Sequence, residues 1–125
     1  MKPWMMGVLA VSLLGLAAVP VQAAKGNKAE GAKTFKTMCA SCHGAQGKGD
    51  GQAAAMMNPK PTDLTDAKYM ATLSDEHLAQ VIKGGGAAVK KSPLMPALGA
   101  KWSDQQVADM IAHLRDLCKC TYKKK

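Results

Sequence analysis

The five residues Cys39-Ala40-Ser41-Cys42-His43 constrain this chain more than any other stretch. They form a C-x-x-C-H string, the attachment signature of a c-type haem. The two thiols can add to the two vinyl groups of one porphyrin, and the histidine that follows can bind its iron. A bare C-x-x-C also occurs in dithiol redox sites and as half of a zinc site. The adjacent histidine favours one covalent haem over both alternatives.

The first 23 residues have the composition of an export signal. Lys2 gives a short positive start, an apolar run follows, Pro20 ends that run, and Val21-Gln22-Ala23 places small residues at a cleavage site. An uncleaved anchor is the alternative, because the apolar stretch is just long enough to span a bilayer. We therefore expect a signal peptide over residues 1–23 and a periplasmic domain over residues 24–125, with no stable membrane insertion after cleavage.

The remaining chain is short enough for one domain only. It contains few aromatic residues, namely Phe35, Tyr69, Trp102 and Tyr122. Because aromatic side chains usually supply much of a small core, their scarcity is consistent with a large flat cofactor at the centre. The formal net charge of the whole chain is +8. Nucleic acid is not an expected partner for an exported protein despite this charge.

Three segments combine a helix cap with helical hydrophobic periodicity. In chain order they are Asn27 with a helix over residues 28–38, Ser74 with a helix that ends at the glycine triplet 84–86, and Ser103 with a helix to about Leu117. Glu30 and Gln106, three positions after their caps, predict capping boxes. The intervening stretches predict long loops with short helical turns, and no segment alternates as a strand would. The expected fold is all-α.

A second iron ligand has to come from outside the motif. Met95 is flanked by Pro93 and Pro96, which stiffen the backbone around it. The other methionines are Met38 and Met110, expected in the core, and Met56, Met57 and Met70, which stay open as alternatives. His77 is expected on a solvent-facing helix surface and His113 in packing, which disfavours two histidine ligands.

A thioether ligand stabilises ferrous iron and raises the reduction potential. It also fills the sixth coordination position. Small molecules then have no open site on the iron, so this ligand set indicates electron transfer rather than oxygen or peroxide chemistry. We therefore expect a protein that is not itself an enzyme.

Several sequence elements follow one another in an order that is typical of one protein family. A helix leads into the C-x-x-C-H string, a proline-bearing loop carries Asp63-Leu64, a helix ends in Lys83-Gly84-Gly85, a loop carries Met95-Pro96, and a final helix reads from Ile111 to Leu117. In this order the chain resembles a class I monohaem cytochrome c of the small bacterial type. The resemblance implies His43 and Met95 as axial ligands, and Pro61 and Trp102 at the boundary of the haem pocket.

The resemblance also implies a close crossing of the first and last helices, which accounts for Gly31. The family often has an aromatic residue where this chain has His113. The implied function is that of a monomeric electron carrier, which passes single electrons between redox partner proteins. The alternatives are a haem subunit of a larger oxidoreductase or, with a labile methionine ligand, a haem sensor or weak peroxidase.

Five lysines lie in or beside the loops expected to border the haem, and they are Lys48, Lys60, Lys83, Lys90 and Lys91. One interpretation is a basic rim that steers acidic docking surfaces towards the haem edge. The other is a set of solubilising lysines spread over the surface. Both stay open at this point.

Cys118 and Cys120 open a short basic tail that begins at about residue 118. In an oxidising compartment they can form a small disulfide, cross-link to another chain or remain free thiols. A four-thiolate zinc site with Cys39 and Cys42 is the non-haem alternative, although its ligand spacing is poor.

Overall fold

The computed structural model describes residues 24–124, so the predicted signal peptide lies outside the described residues. Within residues 24–124 the chain is helical and has no strand, which confirms the predicted all-α class. The helices are α1 (Lys28–Met38), α2 (Ala40–His43), α3 (Ala67–Met70), α4 (Asp75–Gly84) and α5 (Asp104–Cys118), with 3-10 segments at Gln52–Met56 and Gly86–Val89. None of the helices in this range is both long and apolar enough to cross a membrane.

The three main helices begin at the predicted caps, which are Asn27, Ser74 and Ser103. The capping box between Ser103 and Gln106 is confirmed. The box predicted at Glu30 is wrong, because the Glu30 carboxylate accepts a hydrogen bond from Lys33 Nζ at 2.7 Å instead. The Asn27 side chain alone accepts from the first backbone N–H groups of α1.

Helices α1 and α5 cross at van der Waals distance. A Cβ atom at Gly31 would collide with the carbonyl oxygen of Asp109 and would lie 2.8 Å from the Cβ of His113. Glycine therefore lets the two backbones touch. The crossing places Phe35 beside Met110 and Leu114 in the main hydrophobic cluster of the described residues.

Two segments depart from the sequence-based expectation. Met38, expected in the core, is 39% exposed at the end of α1. The segment Gly86–Val89, expected as loop, forms a 3-10 turn directly after α4. Both segments border the same cavity, described below.

The C-terminal tail packs against the helices. Cys118 and Cys120 form a disulfide with each other, which selects one of the three expected states. The Cys118 side chain is buried at the end of α5. Beyond it, the backbone N–H of Lys123 donates to the carbonyl of Ala71 at 2.9 Å, so the tail returns to the end of α3.

Candidate haem site

A cavity of about 430 Å³ lies between the five helices and the segments 57–64 and 86–98. Its volume falls in the range of small-molecule sites, about 300–1,000 Å³. Five of the six predicted site residues line it, namely Cys39, Cys42, His43, Pro61 and Met95. Trp102 is not among the lining residues and packs against the hydrophobic cluster instead.

Helix α2 places the motif on the wall of the cavity. The N–H groups of Cys42 and His43 both donate to the carbonyl of Cys39, at 3.2 and 2.9 Å. This single turn brings the two thiols and the imidazole to the same cavity, although the sequence separates them by up to four positions. The following loop returns to the motif, because Gly49 N–H donates to the His43 carbonyl at 2.8 Å.

The two motif cysteines are free thiols and half-buried. Burial, and to a lesser degree the neighbouring Cys42, raise the pKa of the Cys39 thiol to about 11. A catalytic dithiol needs an activated thiolate, which requires a lowered pKa. The surroundings of Cys39 therefore disfavour the dithiol redox alternative.

His43 is the most unusual polar group of the cavity. Its Nδ1 atom is buried and has no hydrogen-bond partner within residues 24–124. Burial lowers the pKa of the imidazole, and the backbone of Thr62 partly offsets this shift without making a hydrogen bond of good geometry. A neutral imidazole keeps the lone pair that a metal ion needs, and the second ring nitrogen of such a ligand usually faces a backbone carbonyl.

Met95 is attached to the C-terminal end of α4 by backbone hydrogen bonds. Gly86 N–H donates to the Met95 carbonyl at 3.0 Å, and Lys91 N–H donates to the Gly86 carbonyl at 2.8 Å. A Cβ at Gly85 would press on the Met95 carbonyl, so the two segments touch at backbone distance. These contacts hold the half-buried Met95 side chain at the cavity wall.

The alternative methionines have different surroundings. Met56 is 93% exposed and does not line the cavity. Met57 and Met70 line it, but Met70 is fully buried in the hydrophobic cluster. Met70 is thus part of the hydrophobic core, whereas Met95 lies in an exposed loop.

His77 was expected on a solvent-facing surface, but it is half-buried and lines the cavity. The sequence held a signal for this position. His77 precedes Val81 by four residues, and residues four apart share one helix face. Val81 also lines the cavity, as do Leu78 and Ile82.

The zinc alternative finds no support in the geometry. Within the described residues no cluster of three or more His, Cys, Asp or Glu side chains could hold a metal ion. Cys118 and Cys120 are bonded to each other rather than gathered with Cys39 and Cys42. By contrast, an apolar cavity with two thiols and an unpartnered buried histidine fits a covalently attached haem.

Comparisons with known proteins support a c-type cytochrome. The family model described as cytochrome c matches residues 28–117. A search of the curated proteins found no match. The solved structures that share the fold include the following two. One is a chain of the reducing HAO-like protein complex Kustc0457/Kustc0458 of Kuenenia stuttgartiensis, with 26% identity and a TM-score of 0.56 over 78% of this chain. The other is the c-type cytochrome KustC0563, with 23% identity and a TM-score of 0.55 over 70% of this chain.

The two similar structures differ in how much of their own length is matched. This chain covers 95% of the c-type cytochrome KustC0563 but only 45% of the chain from the HAO-like complex. The present fold therefore corresponds to less than half of the larger chain.

Proposed function

Since this chain belongs to the cytochrome c family, whose members carry a covalently bound c-type haem, we propose that it is a class I monohaem cytochrome and a periplasmic electron carrier. In this proposal Cys39 and Cys42 would hold the haem, and His43 and Met95 would bind its iron. One observation carries the proposal, which is that a single apolar cavity is lined by both motif thiols, His43 and Met95.

Each of these residues has a separate role in the proposed electron carrier. When bound, haem supplies an iron that gains and loses one electron. The thiols of Cys39 and Cys42 would attach it covalently through thioether bonds, and His43 would offer its iron a neutral imidazole. Met95 offers a soft sulfur that favours the ferrous state. The apolar walls exclude water, which also favours the less charged state of the site.

Partner recognition is proposed at the mouth of the cavity. Leu94 and Leu98 line the cavity and are 54% and 38% exposed. Of the five lysines considered above, Lys60 and Lys91 line the same cavity. Exposed apolar side chains beside cations suit a transient partner with an acidic rim, whose association rate falls as salt is added.

A second candidate function is that of a haem subunit in a larger oxidoreductase. The observation that favours it is the structural similarity to part of a chain from a reducing HAO-like protein complex. Copurification of a stoichiometric partner with the tagged protein from its native cells would support this candidate. Elution as a monomer from the same cells would support the free carrier.

Absorption spectra of the exported protein test the proposed function, with Met95→Ala as the decisive variant. We expect haem that resists acid-acetone extraction and, in the oxidised wild type, the weak far-red band of a methionine–ferric bond. Met95→Ala should abolish this band. Met56→Ala is the matched control, because Met56 is 93% exposed and lies outside the cavity lining.

Each other outcome has a definite meaning. Covalent haem with a far-red band that survives Met95→Ala would exclude Met95 as the ligand and reopen Met57 and Met70. Covalent haem without the band in wild type, together with rapid carbon monoxide binding, would favour the sensor or peroxidase alternative. N-terminal sequencing of the same sample tests the predicted cleavage after Ala23.

A further inference from the structure

We propose that Arg115 is the positioning residue of the haem cavity and acts on the iron site through α4 and the Met95 segment. This inference rests on the proposed function, in which Met95 is an iron ligand. The Arg115 side chain is only 13% exposed, although it is charged. A guanidinium that is largely removed from water needs a partner for each buried donor.

The guanidinium makes four hydrogen bonds to three residues. Nη1 donates to the Met70 carbonyl at 2.8 Å and Nη2 to the Leu73 carbonyl at 2.6 Å. Nε and Nη2 both donate to Oδ1 of Asp75, at 2.9 and 2.7 Å. Arg115 thus ties α5 to the last residue of α3, to the connecting turn and to the first residue of α4.

The residues held in this way form one wall of the cavity. Met70 and Leu73 line it directly. Helix α4 begins at Asp75, and four of its residues line the cavity as well, namely His77, Leu78, Val81 and Ile82. Because the residues of α4 are joined by one continuous hydrogen-bonded helix, contacts at its first residue and in the turn before it restrain the position of this wall.

The far end of α4 holds the segment that carries Met95. Gly99 N–H donates to the Ile82 carbonyl at 2.9 Å, and Gly86 N–H donates to the Met95 carbonyl at 3.0 Å. Arg115 holds one end of the helix and Met95 is attached near the other. The Arg115 contacts therefore support the helix to which the segment that carries Met95 is attached.

A planar guanidinium is required for this arrangement. Its donors point in fixed directions, which allows one side chain to bind two carbonyls and a carboxylate together. A lysine at the same position keeps the charge but concentrates its donors on one nitrogen. Arg115→Lys therefore separates the contribution of the geometry from that of the charge.

A second ion pair between α4 and α5 provides a matched control. Lys83 Nζ lies 2.9 Å from Oδ1 of Asp104, but these side chains are 42% and 91% exposed. Lys83 has no bond to a backbone carbonyl in the described residues. Lys83→Met removes a charge link between the same two helices without touching the proposed positioning contacts.

The experiment compares haem-loaded wild type with Arg115→Lys, Arg115→Met and Lys83→Met. The first readout is amide hydrogen exchange, resolved by segment. Loss of the Arg115 contacts removes the side-chain donor of the Leu73 carbonyl and leaves the Met70 carbonyl with the Leu73 N–H at 3.2 Å, so exchange in α4 and in residues 86–99 should accelerate by about 10- to 100-fold. Exchange in α1 should change by less than about threefold if the effect stays local. Lys83→Met should leave both segments near wild type.

The second readout is the far-red band of the methionine–ferric bond. In both Arg115 variants the band should disappear at a lower temperature than in wild type, and in Lys83→Met it should not. A change in reduction potential should accompany its loss, because a weaker sulfur ligand favours ferrous iron less.

Several results would overturn the inference. Full wild-type behaviour of Arg115→Lys would show that only the charge matters. Equal acceleration of exchange in α1 and α4 would make Arg115 a general stabiliser. If Arg115→Met does not fold, Arg115→Lys and Asp75→Asn still decide, since Asp75→Asn leaves both carbonyl contacts in place and should give a smaller local effect.

The failure of the proposed function is distinguishable from the failure of this inference. A wild type without the far-red band contradicts Met95 as a ligand. Segment-resolved exchange does not depend on that ligand. It still shows whether Arg115 holds α4 and the Met95 segment, and unchanged exchange there in both variants would contradict the inference.

Discussion

Two walls of the cavity are built in different ways. The crossing of α1 and α5 is a contact of backbones and closely packed side chains, in which Phe35 and Met110 are each only 2% exposed. Glycine at position 31 brings the two helices together. A second wall, residues 86–98, is held by backbone hydrogen bonds, and its Leu94 is 54% exposed.

The difference shows which part of the domain is fully packed by the polypeptide without a cofactor. At the crossing, protein atoms cover protein atoms, so the contact stabilises the chain whether or not a cofactor is present. In the Met95 segment the apolar side chains face the cavity, so their burial depends on the group that fills it. We therefore expect substitutions at the crossing to change stability and substitutions in the Met95 segment to change the spectrum.

The largest expected effect is at Gly31. Gly31→Val should lower the free energy of unfolding by about 3 kcal/mol or more, because the new side chain collides with the α5 backbone, which cannot move aside as a flexible side chain would. Urea titration followed by circular dichroism measures this loss. The control is Ala29→Val on the exposed face of α1, which should cost about 0.7 kcal/mol or less from helix propensity. Equal losses in the two variants would refute the close crossing.

The next prediction contrasts Met110 with Met95, because both side chains line the cavity but belong to different walls. Met110→Ala should lower the free energy of unfolding by about 2–5 kcal/mol, as expected for a buried core methionine. It should retain the far-red band. Met95→Ala should lose the band but keep wild-type exchange protection in α1. Loss of the band in both variants would mean that the two walls do not act separately.

The smallest expected effect is a change in pH dependence at His113, whose ring centroid lies 5.0 Å from that of Phe35. Burial lowers the pKa of His113 below its ordinary value of 6.5, and the Asp116 carboxylate partly offsets this shift. The unfolded chain then binds the proton first as the pH falls. The stability contributed by neutral His113 is fully present above 6.5 and is lost as the pH falls from there through the lowered pKa.

His113→Phe should remove this part of the pH dependence. Free energies of unfolding at about pH 7.5 and about pH 5 should differ less in the variant than in wild type. Asp116→Asn should have the opposite effect and increase the difference, because it removes the group that offsets the shift. An unchanged pH dependence in His113→Phe would show that another group controls it.

The sequence predicted those parts of the fold that depend on neighbours along the chain. The Asn27, Ser74 and Ser103 caps are local signals, since each side chain binds N–H groups two or three residues ahead. The motif at Cys39 to His43 is equally local. The capping box predicted at Glu30 is wrong because the surface residue Lys33 binds its carboxylate. The core position predicted for Met38 is wrong because its side chain borders the open cavity and is 39% exposed.

The sequence by itself determined the all-α class, the positions of the three main helices and the chemistry of the attachment motif, because caps, periodicity and the C-x-x-C-H string act over a few residues. The spacing of His77 and Val81 indicates a shared helix face, but only the tertiary structure decided that this face lines the cavity. It alone also decided that Cys118 pairs with Cys120 and that Arg115 reaches Met70 and Leu73. These outcomes depend on burial and on contacts between residues that share no local pattern. Arg115 and Met70, for example, are 45 positions apart in the chain.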